Sequence, residues 1–378
     1  MRIYFHCQTQ GDKRYPAFQH QLINLAFGLK ELEIEFYSNI DYWKIGKEDY
    51  LFKKSQKPVD DCDVLITSHG EFEYNWELPA MFFKKNRTYK TVYIDTADGL
   101  FTRSFSKELK SFDIVLKQKS KGMWYPENCK YPWVFGLSPY MKLEDDNLLS
   151  LKRKKEILVN YRHVHTFRKQ GKKVISKLKN LPLNKESEAL DYSSKAGNLE
   201  NEHDFYKLGY LQSGGRFHPH YLKRLRKFFA CACFGGSLLP PKVFVANQKL
   251  FKLGNYLYDN TNEGRVINLF RKYNLQIKHQ YGIFQWDSWR LWETFQAGSL
   301  VINIDFEKYG VVLPIMPVNF KHYIGVDLLN PDESIERINR LSNDELSKIA
   351  ADGKEWAEKY YAPKAAASRL LEILKKEI

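Results

Sequence analysis

An α/β chain of two doubly wound domains is what the sequence predicts, on three observations. Short runs rich in β-branched and aromatic residues alternate with amphipathic stretches, the pattern of parallel sheets covered by helices on both faces. The 378 residues are too many for one ordinary core and set an expectation of about two domains. A polar stretch near the middle then gives way to a second strand, loop and helix, so the unit restarts.

The elements follow in order. Arg2 to Cys7 reads as a buried strand, Gln8 to Pro16 as a loop, and Ala17 to Leu32 as an amphipathic helix. Cys62 to Ser68, Lys90 to Asp95 and Phe112 to Lys117 read as further strands. Ser138-Pro139, then Glu144, Asp145 and Asp146, then Lys152 to Lys155 have the composition of a linker. The first domain is therefore set at 1–150 and the second at 151–378. Glu156 to Tyr161 opens the second with a strand, Arg162 to Thr166 loops, and a helix runs from about Gln170 to Lys179. Residues 182–204 are polar and read as an exposed loop. A basic helix over His220 to Lys227 precedes a strand over Phe228 to Phe234, ending in Gly235-Gly236. An insertion covers about 240–280, with Pro240-Pro241, aromatics from Phe251 to Tyr258 and a helix from Glu263 to Tyr273. Those aromatics pack against the second domain or line an acceptor groove. Helices over Asp332 to Ile338, Asp344 to Tyr360 and Ala365 to Ile378 close the chain.

Composition narrows the function. No run of about 18 uncharged apolar residues exists, which argues against a membrane span. The start, Met1-Arg2-Ile3-Tyr4-Phe5-His6-Cys7-Gln8, lacks the apolar core of a signal peptide, so a cytoplasmic location is expected. Cys7, Cys62, Cys129, Cys231 and Cys233 are odd in number and scattered, unlike a disulfide framework; Cys231 and Cys233 sit in an apolar run as small buried side chains. The net charge of +14 calls for an anionic partner or surface. Lysines are spread along the chain without a nucleic-acid-binding signature, so nucleic acid is not the expected partner.

The most informative run is Gln285-Trp286-Asp287-Ser288-Trp289-Arg290-Leu291-Trp292-Glu293-Thr294-Phe295-Gln296-Ala297-Gly298, followed by apolar Leu300 to Ile304. It reads as loop, helix, turn and strand, with Asp287 as N-cap and Gly298 in a left-handed C-cap. Trp289, Trp292, Phe295 and Gln296 share one helical face; Arg290, Glu293, Thr294 and Ala297 share another. Free N–H groups at such a helix start suit a phosphate, and an acid further along suits a ribose. Alternatively, Arg290 and Glu293 are an ordinary exposed i,i+3 pair. The acidic, glycine-containing loop from Asp305 to Pro314 follows a buried strand, where α/β folds place ligand contacts.

This block resembles the nucleotide-sugar site of GT-B glycosyltransferases, in which a Glu in the helix before an Ala-Gly turn binds the ribose hydroxyls; the match here is Glu293. The Ser288-x-Arg290-x-x-Glu293 spacing also resembles the exostosin-like and glycosyltransferase family 1-like branches. Many relatives carry a second Glu eight positions earlier, where this chain has Gln285, so the stereochemistry stays open. The resemblance implies two Rossmann-like domains facing a cleft, the first binding the acceptor and the second the donor, with terminal helices. It implies donor contacts at Arg162, Gln285, Ser288, Arg290 and Glu293, with Arg168 and Lys169 at the mouth of the next helix.

The expected activity is transfer of a sugar from a nucleotide-sugar co-substrate to a glycan, lipid-linked or other acceptor, as in polysaccharide biosynthesis, with no other cofactor. In the first domain His69, Glu71, Asp95 and Asp98 end strands toward the cleft, and Asp12 lies in the first loop. Asp98 is the first choice for a base and His69 the second, although an Asp in a glycine-containing turn also serves as a cap. His163-x-His165 and His218-x-His220 have no third ligand at metal spacing, and Asp60-Asp61 and Asp145-Asp146 are adjacent pairs rather than an Asp-x-Asp motif, so no metal is expected. The basic charge fits peripheral contact with an anionic membrane. The rival readings are a non-catalytic nucleotide- or sugar-binding protein of the same fold and a basic nucleic-acid-binding protein.

Overall fold

The computed structural model describes residues 1–8, 19–68, 78–95, 109–121, 125–142, 152–161, 166–183, 199, 203–235, 237–239, 282–284, 287–328 and 330–377. In chain order the first half contributes β1 (Ile3–His6), α1 (His20–Glu31), β2 (Phe36–Ser38), β3 (Tyr42–Lys44), β4 (Tyr50–Phe52), β5 (Val64–Ser68), β6 (Lys90–Asp95), β7 (Ile114–Lys117) and β8 (Lys119–Ser120). Five of these strands form one parallel sheet in the order β2-β1-β5-β6-β7. Their alternation shows why the sheet is covered on both faces. Ile3, Phe5, Val64, Ile66, Val92, Ile94, Ile114 and Leu116 join one apolar cluster, and Tyr4, Leu65, Tyr93 and Val115 join another. β3 and β4 pair as a short antiparallel hairpin.

The second half contributes β9 (Lys154–Leu158), α2 (Thr166–Ile175), α3 (Asp204–Gln212), α4 (Pro219–Arg226), β10 (Phe228–Ala232), β11 (Ser237–Leu239), β12 (Gly282–Phe284), α5 (Trp289–Gln296), β13 (Leu300–Ile304), β14 (Val311–Val312), β15 (Ile324–Val326), α6 (Pro331–Arg340), α7 (Asn343–Tyr361) and α8 (Pro363–Glu377). A second parallel sheet runs in the order β15-β13-β10-β9. The antiparallel pair β11 and β12 brackets residues 240–281; the insertion expected there lies outside the described residues.

Several ties among the described residues join the halves. β14 pairs with β8, α8 packs on α1, and Lys44 N donates to Gln212 Oε1 at 2.7 Å. The α1–α8 crossing is close enough to require glycine: a Cβ on Gly28 would lie 2.0 Å from the Pro363 carbonyl oxygen. The chain's last described helix thus packs back on the first half. Expected and observed elements differ mainly at ends. α2 starts at Thr166 rather than near Gln170, β10 stops at Ala232, and α3 follows the polar 182–204 stretch, where no helix was expected. No described helix is long and apolar enough to cross a membrane.

Candidate functional site

The site is built on α5, whose two ends are fixed by different parts of the chain. At its C-terminus Ala297 is the cap and Gly298 takes φ +64, as expected. The last carbonyls are then held by a side chain: Arg153 Nη1 donates to the Gly298 oxygen at 2.5 Å and to Ser299 Oγ at 3.1 Å, and Nη2 donates to the Ala297 oxygen at 2.7 Å. A guanidinium at a helix C-terminus also meets the negative end of its dipole. Along the helix, Trp292 is fully buried against Trp356 and Tyr361, their centroids 6.3 and 4.8 Å away.

The N-terminus departs from the expectation. Ser288, not Asp287, is the N-cap, and its hydroxyl makes no capping bond. Asp287 is instead committed elsewhere: its carboxylate accepts from Phe135 N at 2.6 Å, from Gln118 Nε2 at 3.3 Å and from Trp292 Nε1. A carboxylate already taken by partners outside the helix's first turn cannot cap it. Trp289 continues the tie, stacking on Phe135 at 5.4 Å and meeting the His20 ring at 4.0 Å. The helix start is therefore pinned to the first half.

With both ends fixed, the groups between them point to a ligand. Glu293 is 6% exposed, and among the described residues its carboxylate accepts no hydrogen bond. Burial pushes its carboxyl up to about 7, with Arg290 pulling in the opposite direction. Arg290 Nε and Ser288 Oγ are buried without partners. The Arg290 guanidinium lies 5.7 Å from the Tyr161 ring, and Arg168 lies 5.6 Å from the same ring while donating to the Phe234 oxygen at 3.4 Å. Tyr221, in the first turn of α4, is 8% exposed with a partnerless hydroxyl. An unmet buried polar group costs about 1–3 kcal/mol, so several gathered in one place mark where an occupant completes them.

This arrangement replaces the alternative of an exposed Arg290–Glu293 pair. Glu293 is buried, and Arg290 acts on it only through space. Ser288, Arg290 and Glu293 are brought onto one helix as predicted. Arg162, Gln285, Asp98 and His69 lie outside the described residues, as do Asp12, Glu71, His163 and His165. Lys169 is exposed.

Two expected contributors are used otherwise. Asp95 does not present itself to a cleft: it pairs with Lys117 at 3.2 Å, both side chains having zero exposure. The Asp305 loop closes on itself. Asp305 accepts from Lys308 N and Asn319 Nδ2, and Tyr309 donates to Asp327 at 2.7 Å, while Val311 and Val312 pair with β8. Cys231 and Cys233 are buried free thiols, with Cys233 Sγ 3.3 Å from Thr294 Oγ1. Among the described residues no group of three His, Cys, Asp or Glu could hold a metal ion; the His218 and His220 rings stand 5.4 Å apart without a third ligand.

Tyr161, Tyr221 and Arg153 were not singled out from the sequence. Tyr161 carried a faint signal, since it ends the run that opens the second half. Tyr221 carried none: its place depends on α4 running back along β10, which puts the first turn of α4 at the rim where β10 ends.

The sequence matches no protein-family model and no curated protein. Solved structures are similar in fold. One is an alpha-glucosyltransferase in complex with UDP and a 13-mer DNA containing a HMU base, 10% identical over 99% of each chain, with a TM-score of 0.51. A glycosyltransferase from Rickettsia africae ESF-5 is 14% identical over 100% of this chain and 98% of its own, at 0.45. Anabaena HepE in complex with UDP and glucose is 11% identical over 100% of both chains, at 0.42. Identities this low speak for fold alone, and the first of the three carries that argument. The chain has the α/β architecture of the GT-B glycosyltransferases.

Proposed function

We propose that this protein is a glycosyltransferase that moves a sugar from a nucleotide-sugar donor to a glycan, lipid-linked or other acceptor without a metal ion. The observation that carries the proposal is a polar set on α5: Ser288 Oγ and Arg290 Nε are buried without partners at the helix start, and the buried Glu293 lies one turn further along. An anionic diphosphate suits the helix N–H groups, the Ser288 hydroxyl and the Arg290 guanidinium. Ribose hydroxyls suit the Glu293 carboxylate. In transfer, the bond from the sugar's anomeric carbon to the leaving phosphate oxygen breaks and a bond to the acceptor oxygen forms. The acceptor proton passes to a base or to the departing phosphate.

The reading assigns residues 1–150 to the acceptor and 151–378 to the donor, with Arg162 and Gln285 as further donor contacts. Asp98, then His69, is the base if the enzyme inverts. The Ser288-x-Arg290-x-x-Glu293 spacing supports a reading in the exostosin-like or glycosyltransferase family 1-like branch. The +14 charge supports work against an anionic membrane face, as in polysaccharide biosynthesis, and the reading takes the protein to be cytoplasmic. The test is a thermal-shift screen of UDP-, GDP-, ADP-, CMP- and dTDP-sugars, followed by transfer assays with the sugars that bind. A ligand at about 100 times its dissociation constant should stabilise the protein by about 2.7 kcal/mol. Stabilisation by none of the five, with no hydrolysis or transfer, overturns the proposal; stabilisation without turnover points to a non-catalytic binder.

DNA as the acceptor is a second reading, favoured by the net charge and by the DNA bound to the first fold neighbour. Steeply salt-dependent affinity for duplex DNA together with sugar transfer onto it would select this reading.

A further inference from the structure

Gln118 joins the two halves at the start of α5, and the proposed function leaves it unused. It follows β7 at the carboxyl end of the first sheet, the end at which parallel α/β sheets place their ligands. Two contacts with the second half hold it there. The next two residues form β8, which pairs with β14, and its own Nε2 donates to Asp287 Oδ2 at 3.3 Å. Asp287 immediately precedes Ser288, the N-cap of α5, whose hydroxyl is buried without a partner. Gln118 is 3% exposed, and its Oε1 is likewise buried without a partner. Chemistry fixes which way the amide points. Both Asp287 oxygens act as acceptors, Oδ2 toward Phe135 N and Oδ1 toward Trp292 Nε1, so the amide must turn its NH2 group to Asp287. Its oxygen, one amide's width from that contact, is the atom left to bond.

An amide oxygen only accepts, so its partner must bring a proton. A phosphate oxygen without a proton cannot serve, and a sugar hydroxyl can. The helix start beside Gln118 is where the reading of α5 puts the diphosphate, and the part of a nucleotide-sugar that follows the diphosphate is the sugar to be transferred. We propose that Gln118 is a specificity-determining residue contributed by the first half, its Oε1 accepting a hydrogen bond from one hydroxyl of the transferred sugar. This deepens the reading of α5 as a nucleotide-sugar site and rests on it. The nucleotide is then gripped by the second half, whereas the sugar is read across the junction, with Asp287 holding the amide in the orientation that reads it.

The experiment measures dissociation constants of UDP-glucose, GDP-mannose and ADP-glucose, and of bare UDP, GDP and ADP, for wild type and Gln118→Met, which keeps the length of the side chain and removes both polar atoms. For the pair that binds best, Gln118→Met should weaken the nucleotide-sugar about tenfold and leave the bare diphosphate unchanged. Monodeoxy forms of the same sugar then locate the hydroxyl: in wild type one of them should bind about tenfold more weakly than the parent, and in Gln118→Met that difference should vanish. Equal losses for nucleotide-sugar and bare diphosphate would show that Gln118 only props the helix start through Asp287, and would overturn the proposal. No loss at all, or a monodeoxy penalty that survives in the variant, overturns it too. Should the variant fail to fold, wild type decides: binding every monodeoxy form as tightly as the parent overturns the proposal, and one selective loss supports it. If none of the six compounds binds, the donor-site reading falls and takes Gln118 with it, whereas diphosphate binding without an effect of Gln118→Met removes only Gln118.

Discussion

Replacing Glu293 by Gln should make the empty protein more stable and the nucleotide complex weaker. The Glu293 carboxyl is pushed up to about 7 by burial, against 4.5 in a free chain. Between those values the folded protein keeps a proton that the unfolded chain has released. Stability therefore falls as pH rises from about 4.5 to about 7, and is level above that. At about 1.4 kcal/mol per pH unit the window is worth about 3 kcal/mol at most. Glu293→Gln removes this dependence, so the variant should melt a few degrees higher than wild type at pH 8 and about equally at pH 4.5.

Binding runs the other way. Ribose hydroxyls donating to the carboxylate favour its ionised form, so below pH 7 the nucleotide must displace a proton and wild-type affinity should weaken by up to about tenfold per pH unit. At pH 8 the variant should bind about tenfold more weakly than wild type, because a charge-assisted bond becomes a neutral one. The nucleotide's own phosphate titrates near pH 6, and the variant measured in the same buffers supplies that background. Titration calorimetry at several pH values, with melting curves alongside, checks both halves. Equal affinity at pH 8, or identical pH profiles for the two proteins, would refute the assignment of Glu293.

Three further outcomes are expected. Transfer should persist in excess chelator, since the helix start and Arg290 hold the leaving diphosphate in this proposal; activity lost on chelation and restored by Mg²⁺ or Mn²⁺ would show a carboxylate metal site. Asp98→Asn and His69→Ala should lower turnover more than donor affinity, as expected of groups acting in the transition state; normal turnover in both moves the search to Asp12 and Glu71 or to a retaining mechanism. Gly28→Ala should lower the melting temperature by the equivalent of about 1–3 kcal/mol while leaving donor affinity in place, because its Cβ meets the Pro363 carbonyl at 2.0 Å.

What the sequence disclosed was local. The β-branched and aromatic residues of Val64 to Ser68 and Lys90 to Asp95 announced buried strands, and Gly298 announced the end of α5, because each signal needs only its own neighbours. Ser288, Arg290 and Glu293 were found for the same reason: their spacing on a helix is a property of one segment. Asp287 was misread because an acid before a helix looks the same whether it caps that helix or binds Phe135 and Gln118, whose positions depend on tertiary structure. Asp95 was misread likewise, since Lys117 neutralises it from the next strand. The hairpin of β3 and β4 and the strand β15 are three residues each, too short for any period to show.

The same distinction explains how the site can tolerate unmet groups. Arg290 and Glu293 sit on an eight-residue helix that would be marginal alone. It is held instead by Arg153 at one end, by Asp287 and Trp289 at the other, and by Trp292 in the core between. None of these anchors is a ligand group in the proposed site, and all four involve residues distant in sequence. Rigidity comes from the anchors, so Ser288, Arg290 and Glu293 need not bond one another to stay in place. Their polar atoms are left for a ligand whose hydroxyls and phosphates supply the missing partners.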